Sequence, residues 1–378
     1  MKVMVVFGTR PEAIKMCPLI RALKRTKEIA TVVCATGQHK EMLEQVLDMF
    51  SVVPEYDLAI MQQNQTLFGI TELLLVRMKQ VLELEKPDLL LVHGDTTTAY
   101  VSALAGFYLR IPIGHVEAGL RTYNVNSPFP EEFNRQSIDS MSQLMFAPTD
   151  DARENLIREK KYAGNIFVTG NTVIDALKTT VNNSYRHEYL DWAEGSKLIL
   201  VTAHRRENIG KSMEDMFLAI KKIVREKKDT KVIYPVHMNP AVQAIANKCL
   251  AGNDRIKLVE PLDVLDFHNF MAQSYIILTD SGGIQEEAPA LGKPVLVMRN
   301  TTERLEGVRA GTLKLVGTSK EMIYLECMKL LDDETEYKKM AHARSPYGDG
   351  HASEKIVKII LEKKIKDNNR EKNIGDSI

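Results

Sequence analysis

A chain of 378 residues, 44% apolar and 26% charged, has globular composition and, at roughly 150 residues per domain, room for two or three domains. Its 50 Lys and Arg balance its 50 Asp and Glu, so no broad positive field exists for a phosphate backbone and no nucleic-acid partner is expected. Cys17, Cys34, Cys249 and Cys327 lie far apart without C-x-x-C spacing, no apolar run approaches the ~18 residues of a membrane helix, and residues 1–8 lack the layout of a cleavable signal; a cytoplasmic protein away from the membrane is expected.

In chain order, the apolar run 3–7 precedes the turn Gly8-Thr9-Arg10-Pro11 and a helix-period stretch over 14–23, with Pro11 suited to the first helical position. The run 31–35 precedes Thr36-Gly37-Gln38-His39 and a stretch over 42–50. Residues 88–92 precede His93-Gly94-Asp95 and 98–108, and 111–114 precede His115-Val116-Glu117-Ala118-Gly119. From residue 171 the grammar restarts. Residues 198–201 lead to Thr202-Ala203-His204-Arg205, and 232–234 to Pro235-Val236-His237. Residues 276–278 lead to Thr279-Asp280-Ser281-Gly282-Gly283 and a helix over 284–291, and 294–298 to Arg299-Asn300. Strands alternating with helices predict parallel sheets of right-handed βαβ units. The expected fold is α/β, two Rossmann-like doubly wound domains in tandem. Expected boundaries are 1–170, 171–352 and a C-terminal segment 353–378, the last packing back on the N-terminal domain. Ser353 is expected to cap a final helix over 354–361, with 362–378 a charged, fraying tail.

Open α/β sheets bind ligands beyond the carboxyl ends of their strands, where each unusual polar cluster stands. Two halves facing each other would line one cleft with them, the default site. Neither G-x-G-x-x-G nor G-x-x-x-x-G-K-[ST] occurs, and neither His-Glu-x-x-His nor Asp-x-Asp, so no dinucleotide, P-loop or metal site is expected and no cofactor is called for. Asp280-Ser281-Gly282-Gly283 either offers backbone N–H groups to an anion or is an ordinary turn capped by Ser281. Glu286-Glu287 either accepts from sugar hydroxyls or caps the helix. Asp95 and Glu117 end adjacent strands. Glu131 opens a helix after Ser127-Pro128-Phe129-Pro130, and Arg135, four residues on, is its ordinary salt-bridge partner. Three carboxylates near one cleft suit general acid–base work once their environments separate their pKa values. Arg10 suits a phosphate, and His204 beside Arg205 a diphosphate or a proton shuttle.

Gly8-Thr9-Arg10-Pro11-Glu12-Ala13-Ile14-Lys15, Gly94-Asp95-Thr96, His115-Val116-Glu117-Ala118-Gly119-Leu120-Arg121, residues 127–132 with Asn134-Arg135, His204-Arg205-Arg206-Glu207-Asn208 and residues 280–289 are long and ordered motifs. Together they resemble the non-hydrolysing UDP-N-acetylglucosamine 2-epimerases of bacteria from residue 3 to about residue 355. The resemblance implies the paired-Rossmann, GT-B-like architecture of many glycosyltransferases, a homodimer, and UDP-GlcNAc and UDP-ManNAc as substrates. It implies that Arg10, Lys15, His204, Ser281, Gly282, Gly283 and Arg304 hold the UDP, with Arg135 also on the substrate. Phe267 and the backbone near Leu262 would meet uracil, and Glu287 the ribose. Asp95, Glu117 and Glu131, with His204, would carry the proton chemistry. Leu262 stands where relatives carry a glutamine. In some members UDP-GlcNAc is also an activator, through residues matching Gln38, His39, Arg205 and His237; here Glu41 replaces a glutamine of that site and Asn64 an arginine.

The substrate limits the route. The C2 hydrogen of N-acetylglucosamine is not alpha to a ring carbonyl, and without NAD no oxidised intermediate acidifies it. Expelling UDP from C1 while a carboxylate takes the C2 proton gives 2-acetamidoglucal, and re-addition with protonation from the other face gives the manno epimer. The rival readings are a retaining glycosyltransferase, a hydrolysing epimerase and a non-catalytic nucleotide-sugar sensor. The Gly-Thr-Arg-Pro-Glu run argues for the epimerising branch, and retention of Asp95 and Glu117 argues against the sensor.

Overall fold

The computed structural model describes residues 1–37, 40–60 and 66–375, without the side chains of 40–42 and 364–375. The chain divides into two compact units, Met1–Ala176 with Tyr347–Ile378, and Leu177–Pro346.

The first unit carries seven strands: β1 Lys2–Phe7, β2 Ala30–Ala35, β3 Tyr56–Asp57, β4 Leu89–His93, β5 Ile113–Val116, β6 Leu144–Ala147 and β7 Ile166–Val168. They form one parallel sheet in the order β3-β2-β1-β4-β5-β6-β7. Val3 to Phe7 and Leu89 to His93 are buried without interruption, as strands covered on both faces must be. The helices Leu67–Glu85 and Thr97–Tyr108 close one core through Leu74, Met78, Val101 and Ala105 against Met4, Val6 and Leu90. The order turns between β1 and β4, so the crevice for a ligand opens beyond Phe7 and His93.

The second unit carries β8 Lys197–Thr202, β9 Thr230–Pro235, β10 Ile256–Val259, β11 Ile276–Thr279, β12 Val295–Val297 and β13 Leu313–Leu315. This sheet, also parallel, is ordered β10-β9-β8-β11-β12-β13 and turns between β8 and β11. Ile199, Val201 and Tyr234 pack with Phe217 and Ile220 on one face; Leu200 and Ile277 pack with Phe270 and Ala288 on the other.

Several boundaries differ from the sequence expectation. His115 and Val116 belong to β5 rather than to the turn after it, because they pair with Val92 and His93 of β4. The first helix begins at Arg10, so Pro11 is its second residue. The chain leaves the first unit inside the helix Thr172–Thr180 and returns at Tyr347, not at 170/171 and 352/353. Asn171 N–H donates to the Tyr347 carbonyl at 2.7 Å, and these contacts tie both crossing segments to the first unit.

Ser353 does not cap the last helix. It lies inside the helix Ala352–Gly375, its hydroxyl buried without a hydrogen bond, while Asp175 accepts from Ala352 N–H and Ser353 N–H at 3.1 and 2.7 Å. A carboxylate brought in by tertiary packing has displaced the local cap. The helix continues through residues expected to fray, a run rich in the good helix formers Lys and Glu. Its buried Ile356 and Ile360 pack in the first unit, where it meets the helix Arg10–Arg25.

Candidate functional site

In the first unit the site grows from the ends of β1, β4 and β5. Thr9 caps the helix Arg10–Arg25, and Glu12 completes the capping box by accepting from Gly8 N–H at 3.0 Å and Thr9 N–H at 2.7 Å. Its other oxygen accepts from the Thr96 hydroxyl at 2.7 Å, which ties the turn after β1 to the turn carrying Asp95. That anchored helix presents Arg10 at its first position and Lys15 further along.

Glu117 follows β5 directly and holds a left-handed backbone, φ +69°, a conformation costly for a glutamate and characteristic of functional sites. Its side chain is 9% exposed. Lys15 Nζ donates to Oε2 at 2.5 Å, and His93 Nε2 lies 2.8 Å from the same oxygen, off the line of a hydrogen bond. Burial works to raise this carboxyl, but Lys15 and then His93 outweigh it and hold it well below the usual carboxylate range. Glu117 is therefore ionised.

The turn after Glu117 is braced from beneath. Buried Asp139 accepts from Gly119 N–H at 3.2 Å, meets His115 Nδ1 at 2.6 Å and accepts from Arg121 Nη2 at 2.7 Å, while His115 Nε2 lies 2.7 Å from the Gly94 carbonyl. Arg121 also donates to both oxygens of Glu159. Gly119 is required here: at φ +86°, an added Cβ would fall 2.2 Å from the Ala152 carbonyl oxygen.

Arg135 Nη2 pairs with Asp95 Oδ2, and Asn134 Nδ2 donates to the Asp95 carbonyl at 2.9 Å. Arg135 also approaches Glu132 at 3.4 Å. Glu131 starts the helix Glu131–Met141 and makes no ion pair among the described residues, so the expected Glu131–Arg135 bridge is absent; Arg135 serves Asp95 instead. The loop before it contains cis peptide bonds at Ser127-Pro128 and Phe129-Pro130.

In the second unit, buried Asp280 at the end of β11 organises the end of β8. Its carboxylate accepts from His204 N–H at 3.0 Å, Arg205 N–H at 2.9 Å and Asn208 Nδ2 at 3.2 Å. The His204 ring stacks on His237, centroids 5.6 Å apart. Burial lowers the His204 imidazole, with His237 and Arg205 adding to the effect against Asp280, so the ring is neutral at pH 7. His204 and His237 rim a cavity of about 320 Å³ floored by Pro235, Val236, Pro261, Leu262, Phe267 and Ile284, an apolar slot for a flat ring.

Ser281 does not cap the next helix: that position belongs to Gly283, without a side-chain hydrogen bond. Above Gly282 stand one carboxylate and two cations, an added Cβ falling 3.2 Å from Glu303 Oε1 and 3.7 Å from Arg205 Nη2 and Arg304 Cζ. Arg304 is aimed by Glu286, which accepts from its Nε at 2.8 Å, and pairs with Glu303 at 2.9 Å. Glu287 lies 3.5 Å from His268 Nε2. Asp95, Glu117, Glu131, Arg10, Lys15 and Arg135 are thus placed in the first unit. His204, Arg205, His237, Leu262, Phe267, Ser281, Gly282, Gly283, Glu287 and Arg304 are placed in the second. Gln38, His39 and Asn64 fall outside the described residues, as does the side chain of Glu41.

Sequence reasoning passed over Glu12, His93, Asp139 and Glu303. For His93 a signal existed, a polar residue ending the apolar run Leu89-Leu90-Leu91-Val92 beside Gly94-Asp95.

The chain is similar to known proteins over nearly its whole length. A family model described as UDP-N-acetylglucosamine 2-epimerase matches residues 21–361. The UDP-N-acetylglucosamine 2-epimerase of Bacillus subtilis is 58% identical over 361 residues, 96% of this chain and 95% of that protein. The chain belongs to the UDP-N-acetylglucosamine 2-epimerase family. The Escherichia coli K12 member is 49% identical, covering 97% of this chain and 100% of its own length. The solved UDP-GlcNAc 2-epimerase of Neisseria meningitidis, bound to UDP-GlcNAc, superposes with TM-score 0.85 at 47% identity, covering 96% of this chain and 100% of that one. Family membership makes the protein an isomerase, and both doubly wound sheets expected from the sequence are present.

Proposed function

We propose that the protein interconverts UDP-GlcNAc and UDP-ManNAc at C2, by eliminating UDP to 2-acetamidoglucal and adding it back, in the supply of a cell-surface polysaccharide precursor. The observation that carries the route is Glu117, a buried carboxylate kept ionised by Lys15 and His93 on a strained backbone. It stands at the sheet end that also bears Asp95. An ionised carboxylate removes the C2 proton as the C1–O bond to UDP breaks, the electron pair forming the C1=C2 double bond of the glucal. In the return step an acid protonates C2 on the opposite face while a diphosphate oxygen attacks C1. Asp95, Glu117 and Glu131 divide these roles. Arg10, Lys15 and Arg304 offset the charge growing on the departing diphosphate. The apolar slot beside His204 takes uracil, Leu262 and Phe267 providing its surface, and Glu287 takes the ribose.

The test is an NMR time course with UDP-GlcNAc as sole substrate, run in heavy water on enzyme dialysed against EDTA and treated with charcoal. The expected product is UDP-ManNAc carrying deuterium at C2. Product retaining the original C2 hydrogen, or activity restored only by metal or NAD, would refute this route.

Nucleotide binding has its own test. A valine at position 282 projects its side chain toward Glu303, Arg205 and Arg304, crowding the two guanidinium groups a diphosphate would meet. Gly282→Val is expected to weaken UDP binding at least ~10-fold, about 1.4 kcal/mol, with the thermal transition unchanged. Calorimetry showing undiminished affinity would refute the assignment.

The same reading makes the protein a cytoplasmic homodimer. Its four cysteines are free and buried, as suits a reducing compartment, and among the described residues no helix is long and apolar enough to cross a membrane. Phe68, Val76, Leu84, Phe107 and Tyr108 are exposed on two helices that pack together, apolar surface for a second copy to cover. The reading also retains UDP-GlcNAc as an activator, Arg205 and His237 being the members of that site within the described residues.

A further inference from the structure

His93, which so far enters only through its charge effect on Glu117, is a buried titratable group that no hydrogen bond ties into the fold. It ends β4 with its side chain 5% exposed, and neither ring nitrogen has a hydrogen-bond partner among the described residues. The neighbouring His115, on β5, is engaged at both nitrogens, by Asp139 and by the Gly94 carbonyl. A structural histidine looks like His115, because a buried polar atom without a partner is costly. The contact His93 does make is with Glu117 Oε2, at 2.8 Å. Lys15 reaches that same oxygen, and Oε1 has no hydrogen bond among the described residues.

We propose that His93 is a positioning residue for Glu117, holding Oε2 at the strand end so that Oε1 is the oxygen that meets the substrate proton. The inference rests on the reading of Glu117 as a catalytic carboxylate. A glutamate has three side-chain torsions, and Lys15 is long and flexible. A ring fixed on a central strand supplies the restraint that a near-attack geometry needs. The groups facing the carboxylate are Lys15, from the helix after β1, and His93, from β4. Around them, His115 and Arg121 are paired with Asp139, and Arg135 with Asp95. Removing the imidazole therefore takes away one of the two contacts that keep Glu117 ionised, and the carboxyl should titrate higher.

The experiment compares His93→Leu, His93→Gln and Glu117→Gln with the parent enzyme. In His93→Leu, kcat is expected to fall about 10²-fold, with KM and the calorimetric UDP affinity within about twofold of the parent, the scatter of such constants. The acid limb of kcat/KM should move to higher pH. His93→Gln keeps a polar amide group near the Nε2 position, in contact range of Oε2, and should recover at least about tenfold of the lost rate, one step of 1.4 kcal/mol. A folded His93→Leu with parental kcat and an unmoved acid limb overturns the inference, and so does UDP affinity falling in step with kcat. If the leucine variant does not fold, His93→Gln decides alone: parental pH dependence with a rate no better than Glu117→Gln overturns it. An inactive Glu117→Gln beside a normal His93→Leu refutes only this inference, whereas a fully active Glu117→Gln refutes the reading of Glu117 and the inference with it.

Discussion

Glu117→Gln, Asp95→Asn and Glu131→Gln are each expected to slow epimerisation by at least ~10²-fold, the usual size of a general acid–base contribution. The amide keeps the shape of the side chain and removes its basicity. Glu117→Gln should show the largest loss: its carboxylate is held ionised in a buried place, and the amide leaves the Lys15 ammonium facing a neutral group. In Asp95→Asn the loss has a second part, since Arg135 is aimed by that carboxylate. Glu131 makes no ion pair among the described residues, so Glu131→Gln should lower the rate with little change in thermal stability. A variant impaired mainly in re-addition should release UDP and 2-acetamidoglucal, which NMR detects directly. Three amide variants with near-parental rates would show the catalytic assignment to be wrong while leaving family membership untouched.

Arg121→Met is expected to destabilise the first unit by about 3–5 kcal/mol, the cost of removing one member of a buried charge network. The Arg121 and Asp139 side chains are both fully buried, so the variant leaves a carboxylate inside the protein with one cation fewer. At roughly 2–4 °C per kcal/mol for a unit of this size, the apparent melting temperature should fall by at least about 6 °C. The effect has a pH signature. Burial raises the Asp139 carboxyl, but His115 and Arg121 outweigh it, and it titrates below the ordinary aspartate value. A depressed carboxyl contributes stability above its unfolded pKa, near 4, which is lost as pH falls through the folded value. The gap between parent and variant should therefore be full at pH 7 and narrow below about pH 4. Calorimetric melts at pH 7 and at pH 3.5 measure both points, and a gap that is absent or widens on acidification would refute the role given to this pair.

Much of the architecture is written locally. The runs 3–7, 198–201 and 276–278 match β1, β8 and β11 to within a residue or so at each end, because consecutive apolar residues bounded by Gly and polar turns have few other uses. The Thr9–Glu12 capping box is equally local, both partners lying within four residues, although the reading of the turn as Gly8-Thr9-Arg10-Pro11 stops short of Glu12. The two-residue β3 and the short β7 and β13 left no such trace; strands this short take their definition from the neighbour they pair with. The helix Leu67–Glu85 is apolar around much of its circumference and so lacks the single stripe that marks an amphipathic helix.

The candidate residues at the strand ends were legible as residues, and so was the family their motifs resemble. Their partners were not. Lys15 and Glu117 are 102 positions apart and meet only because β4 lies between β1 and β5, and His115 finds Asp139 across 24 positions. Sequence order says nothing of sheet order, so Glu12 reaching Thr96, His93 set against Glu117, and Arg135 turned from Glu131 to Asp95 are decisions of packing. By itself, then, the sequence determined the α/β class, the turns that bear the chemistry and the absence of a dinucleotide fingerprint, all properties of residues within a few positions of one another. Only the tertiary structure decided which charge faces which. The energy of a buried ion pair depends on distance through space and on the water excluded around it, and neither is a property of neighbours along the chain.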